Sequence, residues 1–422
     1  MSTAYNRTER LAAMFLARMP GLKKAAKKAY QRLNFLIYRR EHSWDSAHVI
    51  RRFDHEGLET FFGYYDHSPE SPDGRYIVFH AVNPPSTAMP LPEEIAWVVV
   101  FDLKEEKVAL SCSTTSFNWQ QGSRMMWVDN DHFIFNDYDA ELDAHRSRMI
   151  SVSRQKTIKT FSLPVYDIRG KLAVSLNFDR LQLMRPDYGY RDRQGRISLE
   201  NLDDARDGIS IINLETGEHK LVITIEQLRH YEPEASFEDA VHWVNHLMLS
   251  PLGTQLMFLH RWKRSGRVYH RLLCCKPDGT DLKVLAGGMV SHCTWNGEEE
   301  IVGFLSPNEM PGEYYRISVH DGSKSVLAQG VLDRFGDGHP SVRDGIMLFD
   351  TYPDRSRMKG LYLYSLESGV PVRIGSFFES LRYYGPNRCD LHPRWSRDGK
   401  TVYFDSVHEG PRRLYALHLN DD

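Results

Sequence analysis

The residues with the most chemistry in them are histidines, and they recur. His67, His246, His292, His339 and His392 each stand two to four residues before a turn signal, in the settings Tyr65-Asp66-His67, Asn245-His246, Ser291-His292, Asp337-Gly338-His339-Pro340 and Asp390-Leu391-His392-Pro393-Arg394. The corresponding place before another turn carries Trp119-Gln120-Gln121-Gly122. A second polar series comes after the turns, behind short apolar runs: His80, Asn136-Asp137, Asp179-Arg180, His260-Arg261, Asp350 and His408-Glu409. Imidazole titrates near neutrality and ligates metals, so such a set could hold a cation, move a proton or receive an anion.

Other chemistries lack their residues. The chain has no Gly-rich phosphate loop, no G-x-S-x-G elbow and no H-E-x-x-H. Its five cysteines are odd in number and form no C-x-x-C pair, which argues against a disulfide framework or a zinc ribbon. A reducing cytoplasm is the simplest compartment. The basic run Lys263-Arg264-Ser265-Gly266-Arg267 falls between two strand patterns and reads as a solvated hairpin tip.

The elements that position the histidines come from a repeat. Ser71-Pro72-Asp73-Gly74 leads into Tyr76-Ile77-Val78-Phe79, Ser250-Pro251-Leu252-Gly253 into Leu256-Met257-Phe258, and Ser396-Arg397-Asp398-Gly399 into Thr401-Val402-Tyr403-Phe404. Weaker copies begin near 127, 171, 295 and 341, and most copies are followed by a second hairpin. Four short strands per repeat, seven times over, predict an all-β fold, a seven-bladed β-propeller over 42–422. The last repeat shows one clear outer strand, Arg413–Leu419, so Val49–Phe53 is expected to supply its partner and close the ring. Two insertions are expected near 180–206 and 226–245. The first, with Arg185, Asp187, Tyr188, Tyr190, Arg191 and Arg193, should form a polar, aromatic loop on one rim.

A composition of 41% hydrophobic and 26% charged residues excludes a disordered or fibrous chain. No stretch reaches the ~18–20 apolar residues that span a bilayer. The net charge of −3 argues against a nucleic-acid partner, but it is unevenly spread. Residues 1–41 hold ten Lys/Arg against Glu9 and Glu41, hence +8, which leaves −11 for the remainder. Apolar residues at helical spacing on either side of Pro20-Gly21 predict two short basic amphipathic helices, a short N-terminal extension. Contact with an anionic membrane surface is one reading, and a solvated helix packed on the propeller is the other. A secretory signal is not expected, since the apolar run Leu11–Ala17 is short and is cut by Arg18.

In a propeller, equivalent positions of successive blades ring a central channel. His67, His246, His260, His292, His339 and His392 are therefore expected to open onto one end of it. A purely structural need would be met by Asn, Ser or Asp as readily, so a polar funnel for a metal or an anionic ligand is expected. His339 lies between His292 and His392 in blade order and would complete a three-histidine metal set. Tyr65, Trp119, Gln121, His67 and Arg185 are the expected substrate contacts.

The segments Asp390-Leu391-His392-Pro393-Arg394-Trp395-Ser396-Arg397-Asp398-Gly399 and Ser71-Pro72-Asp73-Gly74-Arg75 resemble TolB-like propeller repeats, and more particularly the oligogalacturonate lyase family. The resemblance implies a divalent metal, Mn or similar, with His292 and His392 at ligand positions. It also implies His260 as the base, after the second strand of a middle blade. The family's Gln-x-x-His-x-His is represented here by Cys389, His392 and Arg394. The activity so implied is β-elimination on a uronate-containing, acidic oligo- or polysaccharide, with His246 beside the base and Arg394 facing the substrate carboxylate. The alternative is a non-lyase component of surface polysaccharide assembly, binding an anionic glycan or serving glycosyl transfer, peripheral on the inner membrane face.

Overall fold

Runs such as Tyr76–Val82 and Thr401–Ser406 are apolar on both faces, which suits a strand only when other sheets cover it from either side. The computed structural model describes residues 20–191, 195, 197–307 and 310–420, with backbone alone at 20–25 and 27. It packs these runs into seven antiparallel blades. Blade one spans 59–114, blade two 126–161, blade three 167–224, blade six 341–378 and blade seven 394–418. Blades four and five share the long strand Lys283–Trp295, so that their strands form one sheet of seven.

The ring closes as expected. Val49–Phe53 pairs antiparallel with Arg413–His418, Val49 opposite His418 and Phe53 opposite Leu414. Just upstream, Trp44–Asp45 adds to the outer strand of blade six, Trp44 opposite Phe377. The N-terminal segment thus crosses two neighbouring blades. Between blades lie the hydrophobic clusters; Phe53, Phe79, Phe133, Phe135 and Tyr403 join blades seven, one and two in one of them. Each such ring withdrawn from water contributes roughly 1.5–3 kcal/mol.

The turn signal has a physical cause. Ser71 Oγ donates to Asp73 Oδ1 at 2.6 Å and accepts from Tyr76 N at 2.9 Å. Ser396 repeats both bonds with Asp398 and Thr401. In blade four Leu252 stands where the Asp should be, and the next blade supplies the missing carboxylate: Ser250 Oγ donates to Glu298 Oε2 at 2.7 Å.

Of the expectations for the helices and the insertions, one needs correction. The expected second basic helix is present as Pro20–Tyr38, opened by the proline, which suits a first helical turn. The expected first helix lies mostly outside the described residues. The second insertion is shorter than 226–245: after the helix Ile225–His230 and a 3-10 turn at Ala235–Phe237, Val241–Leu249 is already the inner strand of blade four.

Candidate metal centre

Four of the six expected histidines meet. Around the buried Tyr65 ring stand His246, His292, His339 and His392, with centroids 6.0, 6.0, 5.4 and 6.2 Å away. His339 is 4.2 Å from His292 and 4.3 Å from His392, ring to ring. They come from the inner edges of blades four to seven. Local backbone aims two of them: His246 and His392 adopt left-handed φ of 58° and 44°, and the bulge between Asn245 and Met248 breaks the register of its strand. Such values are uncommon for a non-glycine residue and concentrate where side-chain direction matters.

What separates these rings is the state of their nitrogens. His392 donates Nδ1–H to the Gly63 carbonyl at 2.8 Å, because a carbonyl can only accept. His339 sets its Nδ1 on Asp350 at 2.9 Å and His292 its Nδ1 on Asp337 at 3.1 Å. In each ring Nε2 is then the atom left for a ligand. The Nε2 atoms of His339 and His392 are buried with no hydrogen-bond partner. His339, His392 and Asp390, all three buried, each offer one ligand atom within 4.8 Å of the other two. A carboxylate or carbonyl behind each imidazole is the usual support for a metal-binding histidine.

The support is built into the chain. Asp350 accepts from the backbone N–H of His339 at 2.8 Å and of His392 at 3.2 Å, besides the His339 ring. Asp405 accepts from Phe62 N at 2.9 Å and Gly63 N at 3.0 Å, fixing the carbonyl that holds His392. Gly63, at φ 124°, runs so close to the Gln121-Gly122 backbone that a Cβ would lie 2.7 Å from the Gln121 carbonyl carbon.

Charges follow from these contacts. Burial opposes the ionised form of Asp390, but Arg388 and His339 outweigh it and hold the carboxyl far below its ordinary range. Burial and the nearby His339 keep His392 well below the usual imidazole value. For His339 burial acts in the same direction, yet Asp350 overcomes it and leaves the ring more basic than usual.

The outer end of the site is cationic. Arg388 Nε donates to Asp390 at 2.5 Å, and Asp187 ties Arg388 (3.3 Å) to Arg185 (3.1 Å), whose guanidinium lies 4.4 Å over Tyr188. The expected Arg185 is therefore here, brought in by the first insertion. Arg261 was not singled out from sequence. It is 8% exposed, its Nε is buried without a hydrogen-bond partner, and no carboxylate pairs with it among the described residues. Burial, then Arg185, lowers its pKa to about 10.

The other expected residues fall elsewhere or do other work. His260 does not face the other histidines. Its Nδ1 accepts from Arg271 Nε at 3.0 Å, its Nε2 meets His242 at 2.9 Å, and Phe237 and Trp262 close over it. Successive residues of a strand point to opposite faces, so it is Arg261 whose charge acts on Tyr64, Tyr166 and Tyr188. Burial and Arg271 keep His260 well below its ordinary pKa. His67 is bound to Asp167 at 2.6 Å and makes no ring contact with the four among the described residues. Arg394 spends most of its donors within the fold: it donates to Tyr64 O, Gly63 O and Asp405, leaving one terminal nitrogen unpartnered.

His246 joins the cluster with both nitrogens engaged, by Tyr64 OH and Tyr65 OH at 3.1 Å each. Tyr65 itself, 2% exposed, donates to Cys293 O and offers no face to a sugar. Trp119 is buried against Phe61 and Phe117 with its Nε1 on Ala88 O. Gln121 is buried too and bonded to Tyr166 OH at 2.9 Å. The group that could hold a metal ion consists of His339, His392 and Asp390, two of the three expected histidines with a carboxylate, and His292 stands alongside.

A seven-bladed propeller with a histidine and carboxylate centre inside its channel is thus the class that fold and site define. The fold is shared with an oligogalacturonate lyase solved in complex with manganese, at TM-score 0.58 and 14% identity over 91% of this chain and 96% of that one. It is shared likewise with an oligogalacturonate lyase of Vibrio parahaemolyticus, at TM-score 0.56 and 11% identity over 90% and 97%. No family model matches the chain, and neither does any curated protein.

Proposed function

We propose that the channel binds a uronate-containing oligosaccharide and cleaves it by β-elimination with the help of a divalent cation. The observation that carries this reading is the pair of buried, unpartnered Nε2 atoms of His339 and His392 facing Asp390. Those three residues would hold the cation, with the manganese-bound lyase of the same fold as further support. When bound, the cation neutralises a uronate carboxylate and so acidifies the adjacent C–H.

The chain's own groups supply the rest. Arg261, without a carboxylate of its own, offers a buried positive charge to an acidic sugar, and Arg185 and Arg388 extend it outward. His292 takes the proton in place of the enclosed His260. Its Nδ1–H rests on Asp337, which leaves Nε2 as the acceptor. Burial lowers its pKa, which keeps the ring unprotonated and able to accept. The C–H pair becomes the new C=C bond, and the pair of the breaking C–O bond leaves with the departing sugar oxygen.

The test is ultraviolet absorbance of the unsaturated product from oligogalacturonate with Mn2+ present. Turnover is expected from the wild type. His292→Ala should lower it by about 100-fold or more while Mn2+ still binds, and Arg261→Ala should weaken substrate binding. Tight binding of the oligosaccharide without any absorbance change would replace the lyase by an anionic-glycan binder. Neither binding nor turnover would refute both.

A further inference from the structure

In the basic N-terminal segment, the contacts of the helix Pro20–Tyr38 divide it into two faces. One is docked on the propeller: Phe35 lies 5.5 Å from Phe378 of blade six, and Tyr30, Gln31 and Asn34 are half-buried. The other carries Ala29, Leu33, Leu36 and Ile37, which helical geometry gathers into one stripe. Leu33, Leu36 and Ile37 are 57%, 66% and 62% exposed. Lys28 and Arg32, also exposed, run along one edge of this stripe. Between the helix and the 380–385 loop is a cavity of about 480 Å³, lined by Lys28, Gln31, Arg32, Arg382 and Tyr384 and by no carboxylate. Lys28 stands 5.5 Å over the Tyr384 ring, and none of the three cations has an ion-pair partner among the described residues.

We infer that this face docks on an anionic phospholipid bilayer, the apolar stripe entering the acyl boundary and the cavity receiving a phosphate headgroup. Exposed large apolar side chains at i, i+3 and i+4 beside unpaired cations are what an interfacial helix requires. No described helix is long and apolar enough to cross a membrane, so the contact is peripheral. Charge argues against the same face pairing with its own copy, since each segment 1–41 carries +8. The arrangement also orients the molecule. The same loop that brings Arg382 and Tyr384 to the cavity continues to Arg388 at the cationic end of the metal centre.

The experiment is co-sedimentation of the full chain with phosphatidylcholine vesicles, with and without phosphatidylglycerol. Binding is expected only with the anionic lipid and should fall steeply with salt. Lys28→Ala, Arg32→Ala and Arg382→Ala should each weaken it about fivefold. Leu33→Ser, Leu36→Ser and Ile37→Ser combined should abolish it even at low salt. Three results would overturn the inference: no preference for anionic vesicles, binding indifferent to both sets of substitutions, or soluble glycerol phosphate bound as tightly as the vesicles. A stripe variant that instead splits a dimer in light scattering would give the face to a second copy.

Discussion

Two histidines of neighbouring blades hang from adjacent carbonyls and meet different fates. His80 of blade one sets Nδ1 on Phe62 O, and His392 of blade seven sets Nδ1 on Gly63 O. At the far nitrogen they part. His80 Nε2 accepts from Ser123 N at 3.0 Å and meets Ser123 Oγ at 2.8 Å. The Nε2 of His392 has no partner and faces Asp390 and His339. His80 is a joint between blades one and two, complete in itself. At blades six and seven two Nε2 atoms are buried without a partner, an arrangement that costs stability unless something else occupies it. A recurring histidine is therefore not a ligand by virtue of its position. The second nitrogen decides.

The metal side of this contrast is most vulnerable at Asp350, which holds the backbone of both His339 and His392 as well as one ring. Asp350→Ala should cost about 3–5 kcal/mol of stability, the range for a buried charge deprived of its partner. It should abolish Mn2+ binding as well; chemical denaturation and calorimetry read the two losses separately. Next comes the direct contrast. His80→Ala should destabilise by about 3 kcal/mol, through a cavity and stranded Ser123 groups, and leave Mn2+ affinity unchanged. His392→Ala should cost less, about 2 kcal/mol, since it leaves a cavity and loses one hydrogen bond but removes an unpartnered Nε2, yet it should lower Mn2+ affinity by about 100-fold or more. Similar stability losses with similar metal affinities would erase the distinction between the two rings.

The last effect is in pH, spread over several units. Burial, partly offset by the Phe62 carbonyl, lowers the His80 pKa to about 3. In the unfolded chain it returns to about 6.5. Between those values the unfolded state binds the extra proton. Stability should thus be level above pH ~6.5 and fall as the pH drops toward ~3, by up to ~1.4 kcal/mol per pH unit from this residue. Denaturant midpoints at successive pH values should show a shallower fall in His80→Asn than in the wild type. An identical slope would mean that His80 is not a neutral joint.

The blades were legible in the sequence because their cause is local. A serine that caps its own turn, an Asp-Gly or its equivalent, and a strand apolar on both faces recur in blades one, four and seven and set the spacing for the rest, and Val49–Phe53 followed from the one strand missing. The metal centre was legible in part. Position in the repeat brought out His292, His339 and His392, and Asp390 lay in the same motif, but nothing local says which nitrogens will be satisfied. That depends on Gly63, Asp337 and Asp350, which come from other blades or other strands. His260 failed for a sharper reason. A strand turns its face with every residue, and a repeat pattern does not resolve a shift of one, so the channel received Arg261 and the histidine was enclosed with Phe237 and Arg271. The aromatic candidates failed because packing between blades uses the same residues as sugar stacking, and Tyr65 and Trp119 are nearly inaccessible.

The chemistry proposed for the channel depends on His339, Asp390 and His392 forming a cation site. The decisive measurement is a calorimetric titration of the metal-free full chain with Mn2+. One equivalent per chain is expected, lost in His339→Ala, in Asp390→Ala and in His392→Ala, and retained in His80→Ala. A wild type that takes up no divalent cation, or binding that survives all three ligand substitutions, would contradict it.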